Sequence, residues 1–202
     1  RSAGPPLRAA TAILNNRRGM QNPWKTLSSR AIYQNPWFRV REDQVIRPDG
    51  QRGIYGVVEF APSVGVVSLN DRDEVALVRQ WRYTKGEVTW ELPVGSSKAS
   101  DASLEAAARR ELREETGVEA AHWQQLGVLD CIVGATTERS TLFLAAGLQV
   151  GSADLDPEEE ITLEWVPFEQ AIGMVTAGTI TECISVAALL QVHLRRIARQ
   201  PG

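Results

Sequence analysis

Three glutamates near the middle of the chain are spaced for chemistry. In Arg110-Glu111-Leu112-Arg113-Glu114-Glu115-Thr116-Gly117-Val118, Glu111 stands three residues before Glu114 and four before Glu115. On a helix that spacing puts the three carboxylates on one face. Like charges there repel, and they crowd the last turn before Gly117, where the helix dipole disfavours each anion by a few tenths to about 1 kcal/mol. Arg110, four residues before Glu114, offsets part of this cost. A run of charge is commonly no more than a solvated acidic face. Acids gathered at the C-terminal end of a helix, however, suit a hard divalent cation with oxygen ligands, which removes the repulsion. Mg²⁺, or Mn²⁺, bridging carboxylates to the phosphates of a substrate is the chemistry that this pattern favours.

Such carboxylates need a helix packed on a rigid support, and the chain supplies both. Residues 102–116 are rich in Ala, Leu, Glu and Arg, with Leu104, Ala108 and Leu112 at four-residue spacing and Gly117 as the stop. Before it come runs that predict strands: Trp37 to Ile46, Ile54 to Phe60 after the Pro48-Asp49-Gly50 turn, Val64 to Leu69, Glu74 to Trp81, and Val88 to Leu92, which Pro93 and Gly95 end. Asn70-Asp71-Arg72-Asp73 reads as a hairpin turn between the third and fourth of these. Strands return at Trp123 to Ile132, Thr141 to Leu148 and Ile161 to Val166, and helices follow at about 168–177 and 182–199. Strands, a helix, strands and two helices predict an α/β layered sandwich with a mixed sheet.

Composition narrows the partners. The 202 residues carry a net charge of −3, but residues 1–41 hold eight Arg or Lys and no acid, which leaves a net −11 on residues 42–202. An acidic body argues against non-specific nucleic-acid binding, which depends on Lys and Arg. It still admits a phosphorylated small molecule when a divalent cation reverses the local sign. No apolar run approaches the roughly 18 residues of a membrane-spanning helix, so no membrane partner is expected. Cys131 and Cys183 form no disulfide or metal pattern, and His122 and His193 are too far apart in sequence to read as a zinc site. A reducing, cytoplasmic location is expected. Residues 1–22, Arg-rich and without acid or apolar periodicity, read as a leader or upstream extension, an organellar transit segment being the other reading.

The glutamate segment resembles the box of the Nudix hydrolase family, G-x5-E-x7-R-E-U-x-E-E-x-G-U, with U bulky and apolar. Arg110, Glu111, Leu112, Glu114, Glu115, Gly117 and Val118 match its second half at every fixed position. The first half departs: the stretch from Gly95 to Arg110 is one residue too long, and Ala102 stands where the first Glu belongs. Asp101 beside it either replaces that Glu through a one-residue insertion or caps the helix. Val78-Arg79-Gln80-Trp81-Arg82-Tyr83 and Trp90-Glu91-Leu92-Pro93-Val94-Gly95 further resemble the ADP-ribose pyrophosphatase branch.

The resemblance implies a Nudix-type α/β/α sandwich over residues 63–202, preceded at 23–62 by a strand extension of the kind swapped between the subunits of a homodimer. It also implies Mg²⁺-dependent hydrolysis of the diphosphate of ADP-ribose or a related nucleoside diphosphate sugar. Glu111 and Glu115 would be the main metal ligands, with Glu114 as ligand or water-orienting group and the carbonyl of Val94 beside them. Arg110 would orient the glutamates. The catalytic base would come from Glu158-Glu159-Glu160, with Glu159 the aligned choice and Glu114 the alternative. Arg82 would hold the diphosphate, with Arg79, Glu91 and the base-stacking Trp24 completing the substrate site. Two departures bear on specificity: Tyr83 follows the substrate Arg where relatives have Pro, and Val133-Gly134-Ala135-Thr136 lacks the Pro found after the box. A nucleotide-binding or sensor domain without turnover, and a hydrolase of nucleoside triphosphates, are the competing readings.

Overall fold

A computed structural model describes residues 21–151 and 160–199. Most of the basic leader, residues 1–20, lies outside the described residues, as do Glu158 and Glu159. Strand β1 (Lys25–Gln34) opens the described chain, followed by β2 (Phe38–Ile46) and β3 (Arg52–Phe60), in an antiparallel sheet of order β1-β2-β3. The Pro48-Asp49-Gly50 turn joins β2 and β3 as expected. Gly50 takes φ +80°, a left-handed conformation open to glycine, and its N–H donates to the Arg47 carbonyl. This sheet is stitched to the rest of the chain through β3: the Val58 N–H donates to the Ala135 carbonyl (2.9 Å), the Thr137 N–H donates back to Val58 (3.0 Å), and the Tyr55 hydroxyl donates to the Gly134 carbonyl (2.8 Å).

The body is built on β4 (Ser63–Ser68), whose six residues are all buried. It pairs parallel with β9 (Arg139–Val150) on one edge and antiparallel with the three-residue β7 (Val94–Ser96) on the other. With β8 (Val118–Asp130) these form a mixed sheet of order β7-β4-β9-β8. Because side chains alternate along a strand, β4 feeds two cores. Val64 and Val66 pack with Ala107, Ala108 and Leu112 of helix α1 (Leu104–Thr116) and with Val118, Phe143 and Ala145. Val67 packs on the opposite side with Ile184, Ala188, Leu189 and Val192 of helix α3 (Cys183–Arg199) and with Phe168 and Ala171 of helix α2 (Phe168–Thr176). The expected helix–sheet–helix sandwich with a mixed sheet is what forms. Each fully buried aliphatic side chain contributes about 1.5–3 kcal/mol. Among the described residues no helix is long and apolar enough to cross a membrane, and both cysteines are free thiols.

A second antiparallel sheet, β10-β5-β6, comprises β5 (Glu74–Arg82), β6 (Glu87–Glu91) and β10 (Ile161–Pro167). It corrects one expectation. The Asn70–Asp73 turn does form, with the Asn70 side chain accepting from the backbone N–H groups of Arg72 and Glu74, but it closes no hairpin. Both edges of β4 are taken by β7 and β9, so beyond a single Leu69–Val75 bridge the turn passes the chain into the other sheet.

Helices and strands are in close contact at Gly65, where a Cβ would come within 2.4 Å of Ile184 Cγ2 on α3. A branched methyl in a packed core has little room to yield. Gly65→Ala is therefore expected to lower stability by about 1–3 kcal/mol. The measurement is the urea midpoint at unchanged m-value, and a midpoint equal to wild type would show that the contact gives way freely.

Candidate active site

Helix α1 places its acids by well-defined ends. Ser103 caps it, accepting from the Ala106 N–H at 3.0 Å, and Gly117 at φ 69° closes it with its N–H on the Arg113 carbonyl. Asp101 is therefore not the cap. Its carboxylate turns to Arg110, receiving Nε at 3.1 Å and Nη2 at 3.0 Å, and also accepts from the Lys98 N–H at 2.7 Å. The remaining Arg110 contacts are Nη1 to Glu111 (2.7 Å), Nη1 to Glu114 (2.8 Å) and Nη2 to the Ser96 carbonyl (3.0 Å). One guanidinium thus ties the loop before the helix, strand β7 and two of the three glutamates into one unit, and the helix-end repulsion is met by this cation and by Lys98, 3.6 Å from Glu114. Each nitrogen of the Arg110 guanidinium is thus engaged by a carboxylate or a backbone carbonyl.

The Asp101–Arg110 side chains are only 8% and 15% exposed, so this is not a solvent-screened surface pair. Hydrogen bonds from Arg110, with that from Lys98, hold the Asp101 carboxyl down at about 2. A depressed carboxyl stabilises the fold above its unfolded-state range and loses that contribution as pH falls through the folded value. Asp101→Asn is accordingly expected to cost about 2 kcal/mol at pH 7, the scale of hydrogen bonds to a charged group, and to slow turnover about tenfold through looser glutamates. Urea unfolding at pH 7 and at successively lower pH checks this: the gap to wild type should narrow from about pH 4 downward, and a gap independent of pH would sever the link to Asp101 ionisation.

Glu111 and Glu115 form the inner part of the site. The Glu111 carboxylate lies so close to Gly95 that a Cβ there would stand 2.1 Å from its Cδ, next to the backbone of Val94. Burial raises the Glu111 carboxyl above its ordinary range, against the opposing pull of Arg110. Glu115 is 5% exposed, and its charge acts on Arg82. Among the described residues no three His, Cys, Asp or Glu side chains gather into a ready-made cage. A Mg²⁺-type site does not require one, because that ion takes one or two carboxylates and completes its shell with water and substrate phosphate. The desolvated Glu111 carboxylate, set in a cradle that only glycine leaves open, fits such an ion.

Arg82, on β5, lies within electrostatic reach of Glu115. Its Nε and Nη2 donate to the two oxygens of Glu91 at 2.8 and 2.5 Å, and the Thr89 hydroxyl donates to the same carboxylate at 2.6 Å. Burial pushes the Glu91 carboxyl upward, but the bonds from Arg82 and Thr89 outweigh it and hold it below its usual range. Glu91, 2% exposed, is thus the holder of Arg82. Arg79 is not brought to it. Three residues apart on one strand, the two arginines point to opposite faces; Arg79 stacks on Trp90 at 5.0 Å and pairs with Glu164 at 3.2 Å. Trp24 packs edge-on against Tyr55, centroids 5.2 Å apart, in the N-terminal sheet. Tyr83 is 93% exposed. Glu159, the expected base, lies outside the described residues. Glu182, absent from the sequence expectations, adds a negative charge near Arg82 from the start of α3 and, after burial, raises the Glu138 carboxyl.

A NUDIX domain model matches residues 59–181, and a nucleoside diphosphate sugar hydrolase N-terminal domain model matches residues 24–58. An ADP-ribose pyrophosphatase from Mycobacterium tuberculosis (strain ATCC 25618 / H37Rv) is 35% identical over 175 residues, covering 86% of this chain and 84% of that protein. A methanol dehydrogenase activator from Bacillus methanolicus is 26% identical over 174 residues, covering 85% of this chain and 93% of that protein. A solved structure described as an ADP compounds hydrolase superposes with TM-score 0.79 at 20% identity, covering 90% of this chain and 98% of that one, a likeness of fold.

Proposed function

This chain belongs to the Nudix family of hydrolases, and on that premise we propose that it hydrolyses the diphosphate of a nucleoside diphosphate sugar, ADP-ribose or a close analogue, with Mg²⁺. The observation that carries the reading is that Glu115, on the same helix as the carboxylates bound by Arg110, lies within electrostatic reach of Arg82. Arg82, its fork anchored by Glu91, leaves Nη1 to meet a diphosphate oxygen. Glu111 and Glu115, with the Val94 carbonyl, would hold the cation, which supplies charge neutralisation at phosphorus and a more acidic water. Arg110 keeps Glu111 and Glu114 in register. The proton of the attacking water goes to Glu159, with Glu114 the second choice. A P–O bond to water forms, the bridging P–O bond breaks, and a nucleoside monophosphate and a sugar phosphate leave.

The binding-without-turnover reading drew its support from the altered front half of the box. Asp101 on Arg110 supplies an acidic partner there, and that support goes with it. Exposed Leu27, Ile32, Tyr33, Trp37 and Ile54 on and beside the N-terminal sheet favour a second copy of the chain as their cover, hence a homodimer, checked by light scattering. Free thiols suit a cytoplasmic location. The function itself is tested by incubating the chain with Mg²⁺ or Mn²⁺ and a panel of nucleoside diphosphate derivatives in H₂¹⁸O. Label in one of two monophosphate products is expected; no cleavage of any member of the panel refutes the reading.

A further inference from the structure

The start of α3 contains a buried contact that the reaction as described does not use. Ser185 is fully buried, and its hydroxyl accepts the Leu92 N–H at 2.8 Å while donating to Glu182 at 2.7 Å. A hydroxyl has one proton. The Glu182 carboxylate already receives the backbone N–H groups of Ile184 (2.8 Å) and Ser185 (2.7 Å) as the helix cap, and it takes that proton. The lone pairs of Ser185 are thereby turned to Leu92. Leu92 needs them: it lies just past the end of β6, an edge strand, is itself fully buried, and its N–H has no strand to pair with.

Leu92 also lies within the segment that joins the two ends of the site. One residue before it, Glu91 grips Arg82. After it, the Pro93 carbonyl accepts the Val66 N–H, Val94 pairs with Gly65, and Gly95 backs the Glu111 carboxylate. The neighbouring Ile184 presses on Gly65 of the same β4 strand. We propose that Ser185, oriented by Glu182, is a positioning residue for the hydrolysis: it fixes the 91–95 segment, and so the separation between the Arg82 clamp and the Glu111 cradle. The proposal rests on the reading of Glu111 and Val94 as metal-holding groups.

The test uses the full chain and two measurements, Mn²⁺ affinity without substrate by electron paramagnetic resonance, and steady-state kinetics with Mg²⁺ and the best substrate of the panel. Ser185→Ala is expected to weaken Mn²⁺ binding about tenfold and to lower kcat by about 10- to 100-fold, with KM changed less than about threefold. Ser185→Thr, which keeps the hydroxyl, should bring both back to within about threefold of wild type. A folded Ser185→Ala protein that binds Mn²⁺ and turns over like wild type overturns the proposal, and so does a loss that Ser185→Thr fails to recover. Should Ser185→Ala not fold, Glu182→Ala removes the oxygen that takes the hydroxyl proton and should show the same pattern at about three- to tenfold; unchanged Mn²⁺ affinity and kcat there would equally overturn it. If the wild-type chain cleaves no member of the panel, the hydrolytic reading fails on its own, and the Mn²⁺ measurement still decides the role of Ser185.

Discussion

Glu115→Gln is expected to reduce kcat/KM by roughly a thousandfold or more while leaving the protein folded. A cation at phosphorus contributes several kcal/mol to the transition state, and each 1.36 kcal/mol is a factor of ten in rate. Glutamine keeps the shape of Glu115 and removes its charge from a position only 5% exposed, beside two like charges on the same helix face. Thermal stability should therefore stay level or rise as activity collapses, which separates loss of a ligand from loss of fold. Circular dichroism melting and kinetics on one preparation make the comparison. Activity within tenfold of wild type would remove Glu115 from the metal site.

Gly95→Ala should act almost as strongly, by geometry alone. A Cβ at this position would lie 2.1 Å from Glu111 Cδ and 2.3 and 2.4 Å from its oxygens. The obstacle is the far end of a flexible side chain, so Glu111 swings aside and the backbone stays. Misplacement of about 1 Å can cost about a hundredfold in rate, and an effect of that order is expected on kcat, with weaker metal binding. The melting temperature should move only a few degrees. Gly65→Ala differs in kind, since its obstacle is a core methyl on α3: there the fall in stability is the first effect expected. A Gly95→Ala enzyme with normal turnover would show that Glu111 works from elsewhere.

Legibility in the sequence followed the range of the physics. Features set by neighbours in the chain could be read directly: the Gly50 turn, the Gly117 stop, and the amphipathic spacing that buries Leu112. Which sheet a strand joins depends on distant partners, and so the Asn70–Asp73 turn suggests a hairpin where the structure makes a crossing between sheets. Strand β1 gave little signal because all ten of its residues are exposed and none needs to alternate toward a core. Within the site, the shared face of the three glutamates and the pairing of Arg110 with Glu114 follow from helical spacing, while the role expected of Arg82 rests on family resemblance. The opposite orientation of Arg79 was available from parity along the strand. Ser185 and Glu182 were not accessible, because their importance lies in a contact with Leu92 across 93 residues of chain.

The parallel pairing of β4 with β9 also has a consequence for the order of events on the ribosome. Ser63 aligns with Ser140 and Ser68 with Ala145, so the central strand meets one of its two neighbours only after about 70 further residues have been made. By then Arg82, Glu91, Glu111, Glu114 and Glu115 have long been synthesised. Helix α1 can form early from local contacts, yet the platform beneath it cannot close, and non-local pairing of this kind is the slow part of folding. A nascent chain stalled before residue 139 thus holds the acidic box with an open, apolar β4 edge, the state in which a growing polypeptide is most exposed to aggregation. Synthesis through β9 therefore ends that vulnerability and closes the platform beneath α1 in one step.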